Sequence, residues 1–450
     1  MEPFRFHLFV CTQQKPEGVT SCPASGSFAV LEALDREIQA GTLKGNAQLT
    51  TCGCMGLCDE GPVLVVYPEG VYYRRLKPSD VAEIVHSHLE HGKPVDRIVW
   101  KDAAAMKAMS AEHEEKYRAM VAARDRAGTL PDHLDQMIRA YWPSRCLLTA
   151  LELDIFTAVG DGGKAQQIGT KVRASARGVS MLLDALVSLG LLSKSGGNYK
   201  NTPESARFFT QGSKDNHRNG LLHIANIWHN WSTLTDAVRR GAHVAADRGR
   251  DPETTRDFIA AMQRNSKDRA PLVVKALGTT GVKRVLDLGG GSGAYSIAWA
   301  KASPEVQCEI LDVPEVVSLT TEYVRQAGVS GQVKVGAGDM LEGDLGSGYD
   351  LIMLNAICHM FSPEQNRAIF RRAHKALAPK GRLVVQDFIL NPDKTGPQHA
   401  ALFSLNMLVN TEAGASYSEP EYVEWIKASG FTEVSRIELP GPSALIVGVR

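Results

Sequence analysis

Over residues 1 to about 100 the chain alternates strand-like and helix-like hydrophobic patterns. The apolar run FRFHLFVC is followed by the amphipathic stretch SFAVLEALDREIQAG, then by PVLVVYPEGVYYRRL and SDVAEIVHSHLEHG. This order predicts a small α/β unit of βαββα type, its last helix opening at Ser79 or Asp80 as N-cap and closing at Gly92. The next segment, KDAAAMKAMSAEHEEKYRAMVAARDRAG, is rich in Ala, Glu, Lys and Met with no period of two. It predicts a helical connector with Met106, Met109, Tyr117 and Met120 on one side. From Pro131 to about residue 250 the pattern is helical except at LLSKSGGNYKNT, where Gly196-Gly197 marks the hairpin tip of a winged-helix unit. After about residue 255 the strand-like VLDLGGG, CEILDV, VKVGAGD, LIMLNA, RLVVQDF and ALIVGVR alternate with helical stretches. They predict a parallel, doubly wound sheet with an edge strand at the C-terminus. The expected division is a small α/β domain at 1–100, a linker at 101–130, a helical domain at 131–250 and a larger α/β domain at 251–450.

Length and charge agree with this division and remove some functions. A chain of 450 residues exceeds one ordinary core and favours two to four domains. Lys plus Arg equals Asp plus Glu, at 50 each, so composition points to neither nucleic acid nor an anionic membrane as a partner. A winged helix often binds DNA, but the helix before this hairpin, SARGVSMLLDALVSLG, is mostly apolar with few basic residues, which speaks against a DNA-binding regulator. No apolar run is long enough to cross a bilayer, and the start MEPFRFHLFVCTQQ lacks the pattern of a secretory signal, so a cytoplasmic protein is expected. Of the eight cysteines, Cys11, Cys22, Cys52, Cys54 and Cys58 crowd the first 58 residues. In a reducing compartment such crowding points to metal or redox chemistry before disulfides.

In the large α/β domain the stretch Val285–Gly293 is a strand running into a glycine-rich turn, with a helix beginning near Tyr295. Glycines permit close backbone approach, and the helix start offers unpaired N–H groups. Nineteen residues after Gly293 the next strand ends in Asp312, where a carboxylate could accept from both hydroxyls of a ribose. A third strand ends in Gly338-Asp339-Met340, an acid and a thioether beside where a purine would lie. A nicotinamide dinucleotide is the rival ligand, but Ala294, Tyr295 and Ser296 follow the last glycine and break the G-x-G-x-x-G spacing.

With these motifs, and with YWPSRCLLTALELDIF and FIAAMQRNS, residues from about 131 to 450 resemble the O-methyltransferase family that includes plant phenol and acetylserotonin methyltransferases and bacterial pigment-modifying enzymes. The resemblance implies a Rossmann-like methyltransferase domain binding S-adenosylmethionine through Asp287, Gly289, Gly291, Asp312, Asp339 and Met340. It also implies a winged-helix dimerisation domain, hence a homodimer acting on a small-molecule acceptor.

Methyl transfer to a hydroxyl needs alignment of the acceptor and removal of its proton. His359 follows the strand LIMLNAIC, where doubly wound sheets place ligands, and it occupies the position of the family's catalytic histidine. Asp387, at the end of the next strand, matches an acid that holds that histidine. The chain departs from the family at Met360, where an Asp is common, and at Ser416, where the phenol methyltransferases have a second acid. Candidates for the acceptor pocket are His223, Trp228, His229, Trp231, Met262, Phe403, Asn406, Met407 and Tyr417.

Cys11 and Cys22 are separated by ten residues, and Cys54-Met-Gly-Leu-Cys58 gives a C-x3-C pair. Four thiolates suit a [2Fe-2S] cluster; zinc accepts four cysteines too, but the long first spacing argues against its usual paired knuckles. Residues 5 to 100 are similar to the thioredoxin-like [2Fe-2S] ferredoxins, which implies that Cys11, Cys22, Cys54 and Cys58 ligate the cluster. Cys52 is an extra thiol that could exchange with Cys54. A partner for electron transfer to the cluster is then possible.

The leading expectation is an O-methyltransferase with His359 as base. A thiol or sulfide acceptor is the alternative, since a thiolate is already populated near neutral pH and needs less help from a base. A redox-sensing or electron-carrying scaffold is the alternative of another class.

Overall fold

A computed structural model describes residues 3–15, 19–128, 130–244 and 252–450. The domain boundary expected at 250/251 lies outside them. The chain divides into two units, Met1–Ala140 and Tyr141–Arg450.

The first unit is built on a four-stranded sheet of β1 (Phe6–Cys11), β2 (Ala47–Cys52), β3 (Leu64–Tyr67) and β4 (Val71–Tyr73), in the order β2-β1-β3-β4. β1 runs parallel to β2 and antiparallel to β3. The expected βαββα order lacks β2. This strand, AQLTTC, sits at the sheet edge with mostly half-exposed residues, so it carries little of the apolar signal by which strands are recognised. The helix Ser27–Ala40 buries Val30, Leu34 and Ile38 at a spacing of four. Asp80 does stand at the start of the last helix, but its carboxylate reaches back to accept from the Lys77 N–H at 2.8 Å.

Alternation along β3 divides the unit's core. Leu64 and Val66 join Leu8, Val10, Leu34, Ile84 and Leu89 on one face. Val63 and Val65 belong to a second apolar group with Cys11, Cys22, Leu57 and Trp100, against which Ala105, Met106 and Met109 pack. Those last residues belong to the helix Ala103–Arg126, the expected connector. Its first turn is capped by Asp102, whose Oδ1 accepts from Ala105 N–H at 2.9 Å. The continuous apolar run Val63–Val66 thus reflects a strand covered on both faces, and the connector supplies the second cover. Tyr117, expected on the same side, is 46% exposed.

In the second unit, helices from Tyr141 to Phe209 surround a hairpin of β5 (Leu192–Ser195) and β6 (Asn198–Asn201), with Gly196-Gly197 at its tip. Their core includes Leu151, Phe156, Ile168, Leu183, Leu186 and Tyr199. The remaining strands form one seven-stranded sheet: β7 (Arg284–Leu288), β8 (Gln307–Asp312), β9 (Val333–Ala337), β10 (Tyr349–Asn355), β11 (Leu377–Asp387), β12 (Glu433–Glu438) and β13 (Ala444–Val449). Their order is β12-β13-β11-β10-β7-β8-β9. Consecutive residues of β10 face opposite layers: Leu351 and Met353 pack with Trp299, and Ile352 and Leu354 with Phe370 and Trp425. Both faces are covered, which is why Leu351–Leu354 of β10 and Leu383–Val385 of β11 read as unbroken apolar runs.

The expected edge position of the C-terminal strand is corrected. β13 lies inside the sheet, antiparallel to both β11 and β12, and β12 takes the edge. Every residue of β13 but the last is buried, whereas β12, EVSRIE, is half-exposed and polar, so only β13 carried a legible strand pattern. Among the described residues no helix is long and apolar enough to cross a membrane.

Candidate active site and metal centre

In the second unit, β7 delivers the chain into the glycine turn before the helix Ala294–Ala302. Gly289 has φ 66°, and a Cβ there would lie 2.9 Å from Ile357 Cγ1 and 3.0 Å from Met340 Cε. Glycine is therefore required by both conformation and space, and the turn packs directly on the loops after β9 and β10. Gly291 N–H donates to Asp312 Oδ2 at 2.7 Å, while Asp312 Oδ1 accepts from Val313 N–H at 2.8 Å. The exposed Asp339 accepts from Leu341 N–H at 2.8 Å. Gly289, Gly291, Asp312 and Met340 thus converge at the carboxyl ends of three neighbouring strands.

Asp287 sits beneath this turn, with no exposed surface. Its carboxylate accepts from Ser296 Oγ at 2.8 Å and from Asn355 Nδ2 at 3.4 Å. Burial pushes its pKa up to about 6 against those two bonds.

One strand along, the short turn Cys358–Met360 after β10 presents His359. Its Nδ1 lies 2.7 Å from Asp387 Oδ1, and its own N–H donates to Asp387 Oδ2 at 3.2 Å. An ionised carboxylate only accepts, so Nδ1 carries the proton and Nε2 keeps its lone pair. Phe388 N–H also donates to Asp387 Oδ1, at 2.8 Å. The imidazole is 7% exposed, with the Phe403 ring edge-on at 4.8 Å and the Phe388 ring stacked at 6.4 Å.

A third side chain of this set was not foreseen. Tyr422, fully buried on the helix Glu419–Ala428, donates its hydroxyl to Asp387 Oδ2 at 3.1 Å. The signal was present: Tyr422 shares its helix face with buried Trp425 and Ile426, and a tyrosine in a buried stripe must find a partner for its hydroxyl.

The expected pocket residues separate. Phe403 faces His359, and buried Tyr417 donates to Phe361 O at 2.5 Å. Trp231 Nε1 donates to Asn406 Oδ1 at 2.8 Å, tying helix Arg218–Trp231 to helix Gln398–Asn410. Trp228 stacks on Tyr141 at 5.8 Å, and His223 packs edge-on to Phe258, with burial and then the Arg264 charge lowering its pKa to about 4. Met407 is buried, Met262 half-buried and His229 exposed. Ser416 is buried, its N–H bonded to Ser404 Oγ at 3.3 Å.

In the first unit, Cys11 ends β1, Cys22 precedes the helix Ser27–Ala40, and Cys54 and Cys58 lie on the loop after β2. The thiols form a chain: Cys11 bonds Cys22, Cys22 bonds Cys58, and Cys54 Sγ lies 3.4 Å from Cys58 Sγ. Cys52 stands outside this chain, and burial raises its pKa to about 11. Cys58 is held down at about 5, first by its bond from Cys22 and then, against burial, by Lys15, whose Nζ donates to Cys58 Sγ at 3.1 Å. Four cysteines linked pairwise in this way offer the thiolate donor set that a two-iron cluster uses. Lys15 was not foreseen.

Residues 231–432 match the family model described as O-methyltransferase domain, 135–211 the O-methyltransferase dimerisation domain, and 5–88 the thioredoxin-like [2Fe-2S] ferredoxin. The tetracenomycin polyketide synthesis 8-O-methyl transferase of Streptomyces glaucescens is 31% identical over 71% of this chain and 96% of its own length. The 3-hydroxy-5-methyl-1-naphthoate 3-O-methyltransferase of Streptomyces sahachiroi is 30% identical over 71% and 95%. Among solved structures, PigF with SAH superposes with a TM-score of 0.66 at 27% identity, covering 71% of this chain and all of that one.

Proposed function

Since the chain belongs to the S-adenosylmethionine-dependent O-methyltransferase family and carries a thioredoxin-like [2Fe-2S] ferredoxin domain, we propose that it methylates a hydroxyl of a small organic acceptor with His359 as general base. The observation that carries this reading is the His359–Asp387 contact at 2.7 Å, which fixes the tautomer and leaves Nε2 as a base inside an aromatic wall.

S-adenosylmethionine supplies a methyl carbon on a positively charged sulfur. Gly289, Gly291 and Met340 would line its place at the strand ends, Asp312 would accept from its ribose hydroxyls, and Asp339 would stand beside its purine. Asp287 supports the turn from beneath. His359 Nε2 takes the acceptor's proton as the acceptor oxygen bonds to the methyl carbon and the carbon–sulfur bond breaks, leaving a neutral thioether. Asp387 stabilises the imidazolium so formed, and buried Tyr422 keeps Asp387 aligned. The half-exposed Tyr141 and Trp142 and the exposed Met181 in the region of the dimerisation match suit burial in a homodimer.

Cys11, Cys22, Cys54 and Cys58 would hold the cluster, which supplies a one-electron couple. The methyl transfer itself needs no electron, so the cluster's role is set apart from that step.

The test is turnover of labelled S-adenosylmethionine, aerobically and anaerobically, against panels of phenols, hydroxylated pigments and thiols. Label transferred to a hydroxyl, with loss of transfer in His359→Ala, is expected. Transfer to thiols alone, undiminished in His359→Ala, would replace the oxygen acceptor by sulfur.

A further inference from the structure

The ferredoxin family match ends at residue 88, yet the chain beyond it closes over the cysteine loop. Within the connector helix, Met106, Met109, Ser110 and His113 form one half-buried stripe at three- and four-residue spacing. Met106 and Met109 pack on the apolar group that contains Cys11 and Cys22. Ser110 Oγ donates to Met55 O, inside the Cys54–Cys58 loop, at 3.3 Å. A Cβ on Gly56 would come within 2.5 Å of Ser110 Oγ and 2.9 Å of Ser110 Cα, so the helix backbone seats on the loop only because residue 56 is glycine.

One helical turn further on, the same stripe sets His113 against the thiols. A ring nitrogen of His113 and the sulfurs of Cys54 and Cys58 all lie within 4.8 Å of one another. Lys15 Nζ donates both to Cys58 Sγ and to His113 Nε2, which leaves Nδ1–H as the imidazole's own donor. Methionine or alanine would serve if this position only packed. An imidazole and an ammonium converging on two sulfurs are groups that bond to negative charge.

We propose that His113 is a fifth side chain of the cluster site, an imidazole that hydrogen-bonds the sulfurs at the Cys54–Cys58 side and, with Lys15, caps the cluster under the connector helix. The inference rests on the cysteine reading above. A cluster on four thiolates is anionic, and hydrogen bonds to its sulfurs, local charge and solvent exposure set its potential. Cys54 is the exposed member of the four, so the open side of the site is the side that His113 covers. The connector is then part of the redox site and more than a tether.

The test uses the full-length protein labelled with ¹⁵N-histidine, purified anaerobically and reduced with dithionite, with pulsed EPR of the reduced cluster. A weak ¹⁵N coupling of hydrogen-bonded size is expected. It should vanish in His113→Ala and in His113→Gln while iron and sulfide content stays at the wild-type level, and a chelator should strip iron several-fold faster from both variants. An intact cluster with no ¹⁵N coupling in the unmutated protein would overturn the proposal, whether or not the variants fold. A strong coupling of directly bound size would also overturn it, by making His113 a ligand. Protein that holds no iron after anaerobic purification would fail the cysteine reading, and this inference with it.

Discussion

The two sites solve the problem of holding reactive groups in opposite ways. At His359 the polar atoms are assigned before any ligand arrives. Asp387 accepts from His359 Nδ1, from the His359 and Phe388 backbone N–H groups and from the Tyr422 hydroxyl, all inside a wall of buried apolar side chains. At the cysteines the sulfurs are bonded chiefly to one another and to Lys15, on loops and strand ends. Like groups brought that close repel when ionised, so the arrangement gains its stability from what binds there. The first site is preorganised by strand ends, as the proposed base catalysis requires; the second would be completed by its proposed guest.

The largest expected effect tests the preorganised side of the comparison. His359→Ala should lower kcat by about 10² to 10⁴-fold, the usual size of a general-base contribution. Calorimetry should show its affinity for S-adenosylmethionine nearly unchanged, and a matching loss of affinity would place His359 in donor binding instead.

On the guest-dependent side, Cys58→Ser should abolish or badly weaken the cluster, read as colour, iron and acid-labile sulfide. Its methyl transfer to a supplied acceptor should remain. Loss of transfer with dimer and donor affinity intact would tie the cluster to the catalytic step.

A smaller effect is expected at Tyr422. Tyr422→Phe keeps the packing and removes one hydrogen bond to a charged group, worth about 1.5 kcal/mol, so kcat should fall roughly tenfold. KM should hold, and the acid limb of the pH profile should move. A variant that loses stability but keeps both kcat and its pH profile would make Tyr422 a packing residue only.

Asp287 gives a stability signature. Its folded pKa of about 6 lies above the ordinary 3.8, so the folded protein holds the proton more tightly than the unfolded chain. The ionised, buried carboxylate therefore costs stability at neutral pH, on the order of 2–3 kcal/mol, because each tenfold gain in proton affinity is worth about 1.4 kcal/mol. That cost is relieved as pH falls from about 6 to about 4. Urea unfolding of wild type against Asp287→Asn should show a difference that is constant above pH 7 and shifts in favour of wild type through that window. A pH-independent difference would mean that the carboxylate is not perturbed.

The smallest effect is expected from truncation. Residues 131–450 alone should remain a folded dimer with nearly unchanged kcat on a supplied acceptor, checked by light scattering and turnover. The cut belongs at residue 130 and not at 100, because removing only the ferredoxin domain would expose Met106 and Met109 on the connector.

What could be read from the chain alone was whatever is local. The glycine turn, the strand-end acids, the C-x3-C pair and the hairpin at Gly196-Gly197 are short-range patterns whose chemistry depends on spacing. Buried strands such as β10 and β13 announced themselves because continuous apolar runs have no other stable use. β2 and β12 did not, since half-exposed edge strands of Thr, Gln, Glu and Arg look like loops in one dimension. Likewise the periodicity of residues 101–128 showed a helix with an apolar side but not what that side covers. Only the tertiary structure decided that β13 lies inside the sheet, that Tyr422 reaches Asp387 from 35 residues away, and that His113 comes to rest on Cys54 and Cys58. These are contacts between distant segments, chosen by which apolar faces can cover one another, and nothing in their local sequence encodes the partner.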